Sequence, residues 1–316
     1  MISSEPIVEP VTNGHSSQKA GSARDLFSLD RRTIIVTGAT GGMGIVVVKA
    51  ILQSGADVIA IDREAEPKSF SGGKHAACNL ARAKPVLLNL FESSLEDLQS
   101  TAEKSGTIAS YYQCDISDLE STYAVFENAV SSARYPLRGL VNCAAIGWVG
   151  PSISFPVDDA KRIIEVNLVG TLICAQAAAR LVKKHGFPAS FVFIASMSGY
   201  VVNKGTPNAA YAASKAGVHQ LTRNLASEWG SPNDTDGASP SPSIRVNSVS
   251  PGVIRTPMTA GVLSNSHFEH MWTEETMLKR LSVPDDYIGP IIFLLSDASS
   301  YVTGSDLLVD GGYTRW

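Results

Sequence analysis

The sequence predicts an α/β fold: a doubly wound parallel sheet in a single domain with a small C-terminal lid. Three observations carry this. Short β-branched and apolar runs alternate with helical periods from about residue 30 onward, a glycine-rich turn follows the first run, and an acid ends the second. At 316 residues, 44% hydrophobic and 18% charged, the chain is long enough to bury one large core. A net charge of −4 leaves no basic footprint for nucleic acid. No uninterrupted apolar run reaches the roughly 18 residues of a membrane span. Cys78, Cys114, Cys143 and Cys174 are widely spaced without Cys-x-x-Cys, which suggests neither a zinc knot nor a disulfide framework and fits a reducing, cytoplasmic setting. His267 and His270 lack the companions of a zinc site, so they read as surface or lid residues and no metal is expected.

Taken in order, residues 1–29 are rich in Ser, Glu, Pro and Gly without the apolar segment of a signal peptide, and read as a flexible tail. Thr33–Thr37 is a strand. It stops at the turn Gly38-Ala39-Thr40-Gly41-Gly42-Met43-Gly44, and Ile45–Ser54 continues as a helix. Glycines let the backbone approach a pyrophosphate, and the helix presents free N–H groups and a positive dipole end to it. Asp57–Asp62 is a second strand, and Asp62 stands 24 residues after Gly38, where a carboxylate holds an adenosine ribose. Together these predict a Rossmann-type dinucleotide site.

Residues 63–107 read as an enlarged second crossover, with a loop at Ser71–Lys74, an apolar run at Pro85–Phe91 and a helix at Ser94–Lys104. A third strand (Ile108–Gln113), a helix (Leu119–Ala133) and a fourth strand (Gly139–Asn142) follow. Val157–Lys184 reads as a long helical region holding Asn167, which either satisfies a buried backbone group or steers a water. A fifth strand (Ser190–Ala195), a helix (Ala209–Trp229), a polar insertion (230–243) and a sixth strand (Ile244–Val249) come next. Residues 257–284 carry Met258, Phe268, Met271, Trp272 and Met277, which read equally well as an apolar lid or as ordinary helix packing. A helix (Asp285–Ser296) and a strand (Asp306–Val309) close the fold.

The chemistry is concentrated in Tyr211 and Lys215, four apart on one helix face. A phenol with a pKa of about 10 is a poor acid or base at neutral pH, and a neighbouring cation favours the phenolate. Tyr200 and Lys204 repeat the spacing, but in a loop containing Gly199, Gly205 and Pro207 that fixes no geometry, so Tyr211 is the candidate. Standing alone, the pair also reads as a helix tyrosine beside a solvated lysine.

Over nearly all of residues 30–316 the chain resembles the short-chain dehydrogenase/reductase family. The resemblance rests on Thr37-Gly38-x-x-x-Gly42-Met43-Gly44, Asp115-Ile116, Asn142-Cys143-Ala144-Ala145, Asn167, Ser198 with Tyr211 and Lys215, and Pro251-Gly252 with Thr256. It implies that Tyr211 exchanges the proton, Ser198 holds the substrate oxygen, Lys215 binds the nicotinamide ribose and Asn167 supports a water relay. The family spacing of thirteen residues selects Ser198 over Ser196. The resemblance places Gly38, Thr40, Gly42, Met43, Gly44, Asp62, Arg63, Asp115, Ile116, Asn142, Ala144, Pro251, Gly252, Val253 and Thr256 around the cofactor, with Asp115 near the adenine and Val253 and Thr256 facing the nicotinamide amide. Cys143 and Ala145 depart from the family pattern and imply a slightly narrowed pocket.

Ser196–Asn203, Ala226–Trp229 and the ending from Asp297 resemble the fungal polyol dehydrogenase and sorbose reductase branch. That implies a ketose or polyol substrate, with an apolar ketone of secondary metabolism as the alternative and a non-catalytic dinucleotide-binding regulator as the competing class. Asp62 predicts NAD(H); the adjoining Arg63 and the branch leave NADP(H) open. The resemblance also implies a homodimer or homotetramer built on the helices at 157–184 and 209–229.

Overall fold

The structure, a computed structural model, describes residues 22–64, 95–231 and 242–316. The Ser71–Lys74 loop, the Pro85–Phe91 run and most of the 230–243 insertion lie outside these residues. Seven strands form one parallel sheet: β1 (Thr33–Thr37), β2 (Asp57–Asp62), β3 (Ala109–Gln113), β4 (Leu137–Asn142), β5 (Ala189–Ile194), β6 (Ile244–Pro251) and β7 (Asp306–Val309). Their order is β3-β2-β1-β4-β5-β6-β7. The chain reverses its direction of travel between β1 and β4, which pair with Thr37 opposite Asn142, and this opens a crevice at the carboxyl ends of both strands.

The helices are α1 (Ala23–Leu26), α2 (Gly44–Gln53), α3 (Leu95–Ser105), α4 (Leu119–Ser131), α5 (Val157–Ile164), α6 (Gly170–His185), α7 (Ala209–Trp229), α8 (Pro257–Leu263), α9 (Ser266–Glu275) and α10 (Ile288–Leu295). Because side chains alternate along a strand, Ile35, Phe191 and Phe193 pack on one face under α4, α6 and α7, while Ile34, Val36 and Val192 pack on the other under α2 and α10. Burial on both faces explains the unbroken apolar character of the central strands.

Several sequence expectations change. The tail ends before residue 29: Ser22 and Asp25 form a reciprocal capping box around α1, and Leu29 is fully buried with its N–H donating to Ser54 O. The expected single helix over 157–184 is interrupted by a π-helical turn at Glu165–Val169. Pro284 and Asp286 set a separate 3₁₀ turn (Pro284–Tyr287) before α10, with the Asp286 carboxylate accepting from Val283 N–H. Val157–His185 is, after all, long and apolar enough to cross a membrane by length and composition, but Cys174, Ala175, Ala178 and Val182 are wholly buried in the sheet-facing core. In the 257–284 region both readings hold in part. Trp272, Leu263 and Leu281 make a small core of their own, whereas Met258 and Met277 are exposed.

Candidate active site

The site is assembled at the carboxyl ends of β1, β4, β5 and β6. Gly38 ends β1 with φ +63, and a Cβ there would stand 2.6 Å from Ala144 N, so only glycine allows the β1 and β4 turns to touch. No side chain caps the N-terminus of α2, and the Ile45 N–H donates to Gly41 O in the turn. At the end of β2, Asp62 Oδ2 accepts from Thr40 N–H (2.9 Å) and Thr40 Oγ1–H (2.7 Å), and Oδ1 accepts from Arg63 N–H (2.8 Å). The carboxylate is thus fixed in place beside the glycine turn. The Arg63 side chain is mostly exposed and pairs with Glu64 at 3.3 Å.

Asp115 accepts from Ser117 and from the Arg162 guanidinium on α5 (2.6 Å), and these bonds hold its carboxyl below the usual range against the opposing effect of burial. Ile116 is buried against Gly170. Asn142 is braced between Thr37 Oγ1 and Thr171 Oγ1. Cys143, by contrast, packs toward the α2-side core, and burial pushes its thiol up to about 12. At the end of β6, Gly252 N–H donates to Val309 O, and Val253 O accepts from Ser282. Thr256 caps α8 in a capping box with Thr259. Thr256 and Pro257 lie directly against Gly42, so this loop meets the glycine turn.

Tyr211 and Lys215 emerge from the first turns of α7 into the same crevice. Burial pushes the Tyr211 phenol above its ordinary range, and the Ser196 hydroxyl is the side-chain partner that opposes this. The expected fall of the phenol pKa is therefore replaced by a rise. Desolvation outweighs the lysine, whose ammonium stands 5.8 Å from the ring centroid and donates to Ile194 O at 2.7 Å. Burial also pulls Lys215 down to about 8.

The choice between the two serines is corrected as well. The hydroxyl beside Tyr211 is that of Ser196, whereas Ser198 Oγ–H donates to Asn203 Oδ1 at 2.8 Å. The two serines hold different places in the 3₁₀ turn Met197–Gly199: Ser196 is its N-cap and accepts from Ser198 N–H, while Ser198 lies inside it. Asn167, fully buried in the π turn, spends both amide hydrogens on Ile146 O and Ser214 Oγ and accepts from Ile146 N–H. Its side chain braces the loop after β4. Tyr200, the decoy, stacks on His219 at 4.1 Å, and burial together with Asp306 pushes it to about 12. Lys204 ion-pairs with Glu275 on α9, away from Tyr200.

Lys215 gives a first testable outcome. Its value in the fold lies below the 10.5 of the free side chain, so between about pH 8 and 10.5 the unfolded chain holds the extra proton and folded stability rises with pH. Relative to Lys215→Met, wild type should gain about 3 kcal/mol of unfolding free energy from pH 7 to pH 10.5, at about 1.4 kcal/mol per unit. Denaturant titrations of both proteins across that range check it, and parallel curves would refute the buried lysine.

A glycine cradle, an uncapped helix start, a fixed acid at the ribose position and a buried Tyr–Lys pair define a dinucleotide-dependent oxidoreductase. Residues 68–314 match the family model described as enoyl-(acyl carrier protein) reductase. The chain is 42% identical to a short chain dehydrogenases/reductase, notP', of Aspergillus versicolor, over 93% of this chain and 91% of that one. It is 35% identical to an NADH-dependent L-xylulose reductase of Ambrosiozyma monospora, over 92% and 97%. The crystal structure of a gluconate 5-dehydrogenase from Burkholderia cenocepacia in complex with NADP and tartrate superposes with a TM-score of 0.76 at 25% identity, covering 93% of this chain and 99% of that one. The chain belongs to the short-chain dehydrogenase/reductase family, and it is an oxidoreductase acting on alcohol or ketone groups.

Proposed function

We propose that this protein interconverts a ketone and its secondary alcohol with NAD(H), and that ketoses and polyols are its first substrates. The observation that carries the chemistry is the convergence of Tyr211, Ser196 and Lys215 beside the Gly38–Gly44 turn. The likeness to the L-xylulose reductase supports the substrate class. In this reading Ser196 holds the substrate oxygen, Tyr211 gives it a proton in reduction and removes one in oxidation, and Lys215 holds the nicotinamide ribose from the floor of the crevice. The bound nicotinamide supplies or accepts the hydride. Asn142 and Asn167 keep the β4 end and its loop rigid around that geometry.

For the cofactor, the support is the Asp62 carboxylate. Its anchorage by Thr40 and Arg63 N–H keeps a negative charge where the 2′-phosphate of NADP would sit, and Arg63 is engaged with Glu64 rather than turned toward that site. A second substrate reading has its own observation. An open cleft of about 180 Å³ near the start of α7 is lined by Trp148, Phe155, Val157 and Ala209 with Ser152 and Asn208, a mostly apolar wall that suits a larger, less polar ketone.

One panel tests both. Ketoses, polyols and apolar cyclic ketones are assayed with each cofactor by absorbance of the reduced nicotinamide. The expected result is turnover of a ketose or polyol with at least about a tenfold kcat/KM preference for NAD(H), roughly 1.4 kcal/mol in the transition state. Turnover of apolar ketones alone would reverse the substrate order, and a tenfold preference for NADP(H) would show that Arg63 rather than Asp62 governs the choice. The family resemblance supports a homodimer or homotetramer paired through α5, α6 and α7, and the unpaired pattern of the cysteines supports a cytoplasmic setting.

A further inference from the structure

We propose that Tyr111 and Gln113 on β3 are positioning residues for cofactor choice: their side chains hold the backbone of Arg63 and Glu64 so that the Arg63 guanidinium stays away from the ribose site. This rests on the reading of Asp62 as the acid at that ribose. The β2–β3 ladder ends where Asp62 pairs with Gln113 and Cys114 N–H donates to Asp62 O at 2.7 Å. Arg63 and Glu64 lie beyond it. Two side chains carry the attachment on for two more residues. Gln113 Nε2–H donates to Arg63 O at 3.0 Å, and Tyr111 Oη–H donates to Glu64 O at 2.5 Å.

The register accounts for the pair. Residues two apart on a strand share a face, so Tyr111 and Gln113 lie on the same side of the sheet as their partners Ala60 and Asp62. That is the α2 side, where Tyr111 packs against the core and where Thr40 of the glycine turn grips Asp62. A carbonyl needs a donor, and the phenol remains one: burial, with Asp62 and Glu64 adding to it, pushes its ionisation up.

The tether matters because the ion pair alone is too weak to hold the arginine. Arg63 Nε meets Glu64 Oε1 at 3.3 Å with the Arg63 side chain mostly exposed, and an exposed pair of this kind contributes little. A guanidinium forked onto a phosphate is a far stronger contact. What stands against that exchange is the backbone, which sets the direction in which the Arg63 side chain leaves the chain. Three of its polar groups are fixed here: Arg63 N–H by Asp62 Oδ1, Arg63 O by Gln113 and Glu64 O by Tyr111. The guanidinium therefore leaves toward Glu64 and solvent. With Asp62 and Glu64 on either side of one arginine, the segment that a 2′-phosphate would approach is net negative.

The test reads cofactor affinity directly and needs no substrate. Nicotinamide fluorescence titrations of the whole chain with NADH and with NADPH give each Kd in wild type, Tyr111→Phe and Gln113→Ala. Each change frees one carbonyl and lets Arg63 turn to the 2′-phosphate, so the Kd for NADPH should fall by about three- to tenfold while that for NADH stays within about twofold. A merely structural loosening would weaken both dinucleotides together. Adding Arg63→Ala to either variant should cancel the gain, because the gain is a coupling between Arg63 and its tether. Gln113 is exposed, so Gln113→Ala decides the matter even where Tyr111→Phe disturbs the core. An unmoved ratio of the two Kd values, parallel weakening of both, or an NADPH gain that survives Arg63→Ala overturns the positioning role. Wild type that binds NADPH more tightly than NADH sinks the NAD(H) reading of Asp62 instead.

Discussion

Tyr211→Phe is expected to lower kcat by about 10²- to 10⁴-fold, the usual contribution of a positioned acid or base, while leaving dinucleotide affinity within about threefold. The change removes the one oxygen that exchanges a proton with the substrate. It keeps the ring, which packs so closely over Gly147 that a Cβ added there would stand 2.9 Å from Cδ2, so the loop after β4 loses no support. Loss of rate without loss of cofactor affinity marks an interaction used only in the transition state. Tyr200→Phe is the control, because its ring is stacked on His219 and nearly half exposed, outside the crevice. It should retain wild-type kcat to within about twofold. Ser196→Ala should resemble Tyr211→Phe in kind, since it removes the hydroxyl beside the phenol. An active Tyr211→Phe beside an inactive Tyr200→Phe would move the site to the other Tyr-x-x-x-Lys pair.

Gly44→Ala should act on cofactor binding by a different route, weakening it by roughly a hundredfold and lowering stability by the roughly 1–3 kcal/mol usual for an overpacked site. A Cβ on Gly44 would fall 2.0 Å from the Gly38 carbonyl oxygen and 2.8 Å from its carbonyl carbon. Those are backbone atoms of a turn pinned by Ala39 N–H to Ile61 O and by Gly41 N–H to Gly38 O, so they have little freedom to yield. The start of α2 must move away from the turn, taking its uncapped N–H groups with it. Gly261→Ala on α8, where a Cβ meets nothing within 4 Å, isolates propensity from contact and should be neutral or stabilising by up to about 1 kcal/mol. Fluorescence titration with NADH and thermal melts report both quantities. If Gly44→Ala bound NADH like wild type, the turn would not be the pyrophosphate cradle.

How much of this could be read from the residues depended on whether the cause was local. β1, β2, β7 and α7 have the bounds their sequence periods predict, because each is a short apolar run or a long single face bounded by Gly, Asn or Asp. Tyr211 could be separated from Tyr200 for the same reason: one stands on a helix, the other on a loop. The serine choice was not legible, since it depends on how a 3₁₀ turn orients two hydroxyls two residues apart. The only sequence signal was the Ser-x-Ser pattern itself. The Arg162 contact to Asp115 was equally hidden, because α5 and the turn after β3 meet across 47 residues and no periodicity connects them.

The π turn at Glu165–Val169 sets how this region tolerates changes of length. A π turn holds one more residue than the α-helical path it interrupts, so the segment behaves as an accommodated single-residue insertion in an otherwise α-helical rod. Removing one residue there would close the rod into a continuous α-helix and leave α5 and α6 in phase, with Ile163 in the core and Arg162 on Asp115. The loss would fall on Asn167, whose bonds to Ile146 and Ser214 depend on where the turn carries it. A one-residue deletion should therefore spare the packing of both helices and loosen the loop after β4.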